Sequence, residues 1–259
     1  MNQEERRRFL IEALLRERPE NSRLEIPADA QRQRMLLRGL MNLRPPEPIC
    51  REFLEVQNAY LQAELAAKKI TDVRKLRPVQ KGVYLWRGDI TTLRCGAIVN
   101  AANSGMTGCY QPCHSCIDNC IHTYAGVQLR LKCAELMERQ GHAEPTGRAQ
   151  ITPAYNLPCD YVIHTVGPIV QGPLTQRHRA QLASCYRSCL ELAEANHVDS
   201  IAFCCISTGV FMFPNEAAAE IAVRTVQAYR EETGSGMEVI FNVYLERDEA
   251  IYRGLLGAD

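Results

Sequence analysis

The sequence predicts an α/β sandwich with a mainly parallel sheet, preceded by a helical N-terminal extension. Three observations carry this. Short runs rich in β-branched and aromatic residues recur from about residue 79 onward, punctuated by Gly, Asn, Pro or Ser/Thr. Longer segments of helical composition lie between them, and strand–helix alternation argues for helices covering a parallel sheet. Some runs, notably residues 200–208, are continuously apolar between their Ser and Ser-Thr ends, as expected of strands covered on both faces.

In chain order, residues 1–75 read as a helical extension and residues 76–259 as the α/β domain. In the extension, Ile49, Phe53, Val56 and Tyr60 recur at spacings of four, three and four, which is one helix face. Phe9, Ala13 and Leu14 suggest another. Pro45, Pro46 and Pro48 end any helix running through Arg38 to Asn42. Strands are expected within 82–90, 95–103, 148–156, 160–168, 200–208 and 238–246. Helices are expected within 116–140, 176–197 and 214–232.

Composition narrows the function. The 259 residues carry 30 Lys+Arg and 30 Asp+Glu, a formal net charge of +0. That removes the electrostatic case for coating nucleic acid. Residues 1–80 hold 16 basic and 12 acidic side chains, a mild excess. No window reaches the roughly 18 apolar residues of a membrane span, and the start lacks an apolar signal region, so a cytoplasmic address is expected. Of 12 cysteines, four fall between Cys109 and Cys120. The scattered eight read as small buried hydrophobes; the cluster requires its own explanation.

In a sheet of this kind, ligands bind beyond the carboxyl ends of the strands. Those ends read Gly88-Asp89-Ile90, Asn100 to Gly105, Gly167-Pro168 and Ser207 to Phe211, all small, polar or glycine-bearing. No GxGxxG follows the first strand and no GxxxxGK[ST] occurs, which argues against a dinucleotide fingerprint and a P-loop. Cys109, His114 and Cys116 have the spacing C-x4-H-x-C, with Cys113, Cys120 and His122 nearby. Thiolate and imidazole suit Zn²⁺. Spacing alone leaves open an open catalytic site, a closed four-ligand structural site and a metal-free thiol cluster, with Cys113 the chief rival ligand.

GDIT (88–91), AIVNAANS (97–104), VIHTVGP (162–168) and ISTGVF (206–211), the last before a Pro-led helix, occur in that order. Together they resemble the macrodomain family, whose members bind ADP-ribose. The resemblance covers roughly residues 75–255. It implies a three-layer α/β/α sandwich with a mixed, mostly parallel central sheet. The segment after NAAN, GMTGCYQPCHSCIDNCIH (105–122), keeps Asp118, Ile121 and His122 of the family pattern but replaces its glycines with a Cys/His insertion. It is similar to the zinc-containing, sirtuin-linked macrodomains of bacteria, which carry a helical extension.

The resemblance implies a hydrolase that removes mono-ADP-ribose from modified protein side chains, on Glu/Asp esters. It implies one Zn²⁺ per chain on Cys109, His114 and Cys116, placed to bind a ribose hydroxyl or activate water. Its partners would be an ADP-ribosylated protein, ADP-ribose as product, and an operon-linked mono-ADP-ribosylating sirtuin. By the same resemblance Asp89, with the backbone of Ile90, meets the adenine amino group. Asn103 holds the distal ribose. Ser207, Thr208, Gly209, Val210 and Phe211 form the diphosphate loop. Asp118, at the start of the helix after the metal loop, does acid–base or orienting work or else caps that helix. Asn100 braces the loop; by their own pattern His164 and Trp86 pack, and His122 either packs or hydrogen-bonds the loop behind the metal ligands. Tyr244 either stacks on adenine or joins the core. Met212 stands where the family often has glycine. A non-catalytic ADP-ribose reader and a structural zinc fold are the alternatives.

Overall fold

The structure, a computed structural model, describes residues 1–18 and 24–257. Residues 19–23 of the predicted extension and the last two residues lie outside the described residues. Three helices form the extension: α1 (Gln3–Glu17), α2 (Ala30–Leu43) and α3 (Arg51–Ala66). Asn2 caps α1 through a capping box with Glu5, and Asp29 caps α2. The helix α2 stops at Leu43, just before the prolines. Leu10, Ile11, Leu14, Leu37, Leu40, Phe53 and Tyr60 bury against one another in a core of their own, which also takes in Val127.

The sequence reading carries helix to residue 75, and here the structure differs. Strand β1 (Thr71–Asp72) pairs with β3 (Leu93–Arg94), and a single 3-10 turn, Val73–Lys75, follows it. Two-residue strands leave no periodicity for a sequence to display.

The six-stranded sheet contains β2 (Val83–Arg87), β4 (Ala97–Ala102), β5 (Ala149–Pro153), β6 (Tyr161–Val166), β7 (Ser200–Phe203) and β8 (Glu238–Val243). Its order is β2-β8-β7-β4-β6-β5, parallel except for the antiparallel edge pair β5–β6. Each predicted strand is present. The helix expected over 116–140 is two: α4 (Ile117–Ala125) and α5 (Val127–Gln140). The break is Gly126, at φ 101, where a Cβ would collide with the Gln57 amide; only glycine tolerates that backbone. Then come α6 (Gln176–Ala195) and α7 (Asn215–Thr233), with α8 (Glu246–Leu256), which the sequence reading lacks, after β8. Pro214 stands one position earlier than an N1 proline, as the cap residue of α7.

Successive strand residues face opposite layers. In β6, His164 meets Cys133 of α5 while Thr165 meets Cys185 of α6. The pair α4–α5 therefore covers one face and α6 with its neighbours the other, giving the three-layer sandwich. The register Asn100↔His164 sets these two side chains side by side beneath α4.

Candidate active site

The polar loops expected at the strand ends gather at the carboxyl edge of the sheet. The segment that follows β4 runs through Asn103 and the Cys/His stretch into α4. Asn103 accepts from the Gly105 N–H (2.9 Å) and donates to Gly108 O (3.1 Å) and to Asp118 Oδ2 (3.3 Å). Asn100 donates to the other Asp118 oxygen at 2.8 Å. Asp118 does not cap α4. The cap is Cys116, whose Sγ accepts from the Asn119 N–H at 3.4 Å. The carboxylate is instead 5 % exposed and gripped by two amides. Burial pushes it up to about 6, against the pull of Asn100, Arg130 and Asn103.

His122 Nε2 lies 3.6 Å from Asp118 Oδ1. Burial holds His122 well below the usual imidazole range, so it stands neutral beside the carboxylate. Its ring lies against Gly108, which sits at φ +85; a Cβ there would meet ring carbons at 2.8 Å. The left-handed backbone penalty of about 1–2 kcal/mol adds to an overpacking cost of about 1–3 kcal/mol. Gly108→Ala is therefore expected to lower the melting temperature by roughly 5–15 °C. An unchanged thermal scan would contradict this packing.

Cys109, His114 and Cys116 converge: their ligand atoms all lie within 4.8 Å of one another, and each residue is half-buried. Cys109 Sγ is 3.7 Å from His114 Nδ1, close to the S···N edge of about 3.6 Å that zinc–ligand bond lengths give in a tetrahedron. Burial, with Cys109 and Asp118 nearby, pushes the Cys116 thiol up to about 12 despite the Asn119 N–H. Two thiols and an imidazole crowded in this way are a donor set that a soft divalent cation fits. Cys113, the rival ligand, points elsewhere: its Sγ donates to Met35 O of α2 at 3.3 Å. Cys120 is likewise outside the group, beside Arg38.

A second group, His122, Cys133 and His164, is buried in the core. There Asn100 Nδ2 donates to His164 Nδ1 at 3.1 Å, which leaves Nε2–H to donate to Thr152 Oγ1 at 2.9 Å. Both ring nitrogens of His164 are used, and burial depresses its pKa to about 3. It is a neutral hydrogen-bond hub rather than a metal ligand.

After β7, Ser207 stands at φ 65 and its hydroxyl fills the space that a Gly167 side chain would need, so the Gly167-Pro168 end of β6 packs directly on this loop. Thr208, Met212 and Phe213 N–H groups donate within the loop. Among the described residues, those of Gly209, Val210 and Phe211 have no protein acceptor, and Val210 is 69 % exposed. Backbone amides free at a strand–helix turn suit an anion. Met212 has φ 55, the left-handed conformation that glycine adopts most readily.

Asp89 uses Oδ1 to accept from the Thr91 N–H and hydroxyl, capping the 3-10 turn Ile90–Thr92. Its Oδ2 is 3.5 Å from Lys68 Nζ, and its side chain is 41 % exposed. Ile90 buries its side chain in the core, so only its backbone is available. Tyr244, 74 % exposed after β8, is not a core aromatic. Trp86 packs against the core and over Gly88.

The Macro domain model matches residues 99–222. A protein of Treponema medium named "Protein-ADP-ribose hydrolase" is 59% identical over 260 residues, covering 99% of this chain and 100% of that protein. The chain belongs to the macrodomain family. A Fusarium oxysporum f. sp. cubense protein named "Probable bifunctional ADP-ribose hydrolase/ADP-ribosyltransferase" is 41% identical over 86% of this macrodomain chain and 40% of its own length. The Trypanosoma brucei macrodomain solved in complex with ADP-ribose superposes with a TM-score of 0.67 at 29% identity, over 89% of this chain and 97% of that one.

Sequence reasoning missed four residues of this macrodomain site: Arg38 and Asn42 on α2, Asn119 on α4 and Arg130 on α5. Arg130 is buried, donates to Met41 O, Asn42 O and Arg44 O at the end of α2, reaches Cys109 O at 3.4 Å, and stacks on Tyr110. A lone arginine in a helical pattern carries no signal that it will be buried.

Proposed function

We propose that this chain is a zinc-dependent hydrolase that removes mono-ADP-ribose from modified protein side chains, at Glu/Asp esters, and so reverses sirtuin-type ADP-ribosylation. The observation that carries the reading is the convergence, on one segment after β4, of an amide-gripped carboxylate and a Cys-His-Cys group. A binding module has no need of the second. The relatives named for ADP-ribose hydrolysis support the activity, and the bifunctional fungal name supports pairing with a transferase.

ADP-ribose lies with adenine at Asp89 and the Ile90 backbone, its diphosphate on residues 207–211 and its distal ribose at Asn103. Cys109, His114 and Cys116 hold one Zn²⁺, which supplies Lewis acidity toward an oxygen of the substrate or water. Asp118 faces the same place as Asn103 and orients the ribose or takes a proton. Hydrolysis breaks the link between side-chain carboxyl and ADP-ribose, and water supplies the hydroxyl to one fragment and the proton to the other. The free thiols of the chain, the zinc pair included, suit a cytoplasmic setting, where thiols stay reduced.

Two expected results follow. Asp89→Ala weakens ADP-ribose binding roughly 10- to 100-fold by calorimetry, the range for losing a hydrogen bond to a charged group, while stability falls only by the cap term of about 1 kcal/mol; an unchanged affinity would remove Asp89 from the adenine. Protein mono-ADP-ribosylated on Glu/Asp loses its label and regains the free carboxylate, whereas tight binding of ADP-ribose without release would make the chain a reader.

A further inference from the structure

The metal loop is fastened not only to its own domain but to the C-terminal half of α2. Arg38 Nη2 donates to His114 O at 2.7 Å and to Asn119 Oδ1 at 2.9 Å, and lies 3.5 Å from Cys120 Sγ. The remaining side of Asn119 gathers the loop: its Nδ2 donates to Gln111 O (2.9 Å) and Cys109 O (3.4 Å), and its N–H reaches Cys116 Sγ. Asn42, buried, accepts from the Cys113 N–H at 2.9 Å and donates to Thr123 Oγ1, which in turn donates to Asn119 O at 2.7 Å. Every one of Cys109, His114 and Cys116 is thus tied, at its carbonyl or its sulfur, to one network that ends on Arg38 and Asn42. Arg38 Nε stays buried without an acceptor, so the guanidinium is held in place despite a desolvation cost.

We propose that Arg38 and Asn42 are positioning residues of the metal site, and that the helical extension works as the outer support of the Cys109–His114–Cys116 group. The inference rests on the zinc reading above. Partners behind metal ligands fix ligand orientation, and losing one commonly weakens metal retention 10- to 100-fold. Arginine suits the place because one planar group bridges a carbonyl and an amide oxygen at once, which a lysine ammonium does less rigidly.

The test uses the full chain, zinc-loaded, with metal release to an excess of chelator followed in time. Arg38→Ala and Asn42→Ala are expected to release zinc roughly 10- to 100-fold faster than wild type, and Arg38→Lys to fall between them and wild type. Cobalt-loaded Arg38→Ala shifts its thiolate-to-metal absorption. Gln57→Ala serves as the control: it frees the Val127 N–H and removes the donor to Gln128 Oε1, on α3 and away from the loop, and its release matches wild type. Should Arg38→Ala fail to fold, Arg38→Lys answers the same question with the charge retained. Wild-type release rates in the Arg38 and Asn42 variants overturn the inference while leaving the zinc reading intact. So does an equal acceleration by Gln57→Ala, which would mean general loosening. A wild-type chain that holds no zinc overturns both.

Discussion

Cys116→Ser is expected to empty the metal group and to abolish ADP-ribose release, with a loss of at least about 10³ in rate, since Lewis-acid stabilisation contributes several kcal/mol. Serine is close to cysteine in size and puts a capping oxygen where the Cys116 sulfur accepts from the Asn119 N–H. The fold therefore survives: the loop remains tied by Arg38, Asn42 and Arg130. ADP-ribose is expected still to bind, because the adenine and diphosphate contacts proposed above lie on other loops. Elemental analysis and turnover on the same preparation check this. A metal-free variant with full turnover would show that the metal has no part in the chemistry.

Asp118→Asn is expected to lower turnover by roughly 10²–10⁴, the range for losing a positioned proton-transfer group, while zinc content stays at the wild-type level. The substitution preserves shape. One amide oxygen still accepts from Asn100 or Asn103, but the charge that both amides address is gone. The Kd for ADP-ribose changes by less than about tenfold, because Asp89 and the 207–211 loop are untouched. Separate measurement of turnover and binding distinguishes this from a folding defect, which would move both. Wild-type turnover would return Asp118 to a purely structural place under Asn100.

The alternation of strand and helix was legible because β-branched runs and 3.6-residue periods are statements about which face is buried. The strand ends were legible because small and amide residues cluster there. The break at Gly126 was not: a single glycine in a helical pattern reads as a tolerated residue, and neither its φ of 101 nor the Gln57 amide packed on it from the extension shows in a local pattern. Spacing could not separate Cys113 from Cys116, since the choice is made by a left-handed backbone at residue 113 that turns its thiol toward Met35. Arg38 and Asn42 lie on α2, whose predicted feature was its end at the prolines. Their part depends on a contact spanning more than 70 residues, which no local pattern encodes.

The most direct test of the account is zinc content of the purified chain, paired with ADP-ribose release from a mono-ADP-ribosylated protein before and after chelation. One zinc per chain, with release that chelation stops and zinc restores, is the predicted result. A chain without zinc that releases ADP-ribose at full rate would contradict it.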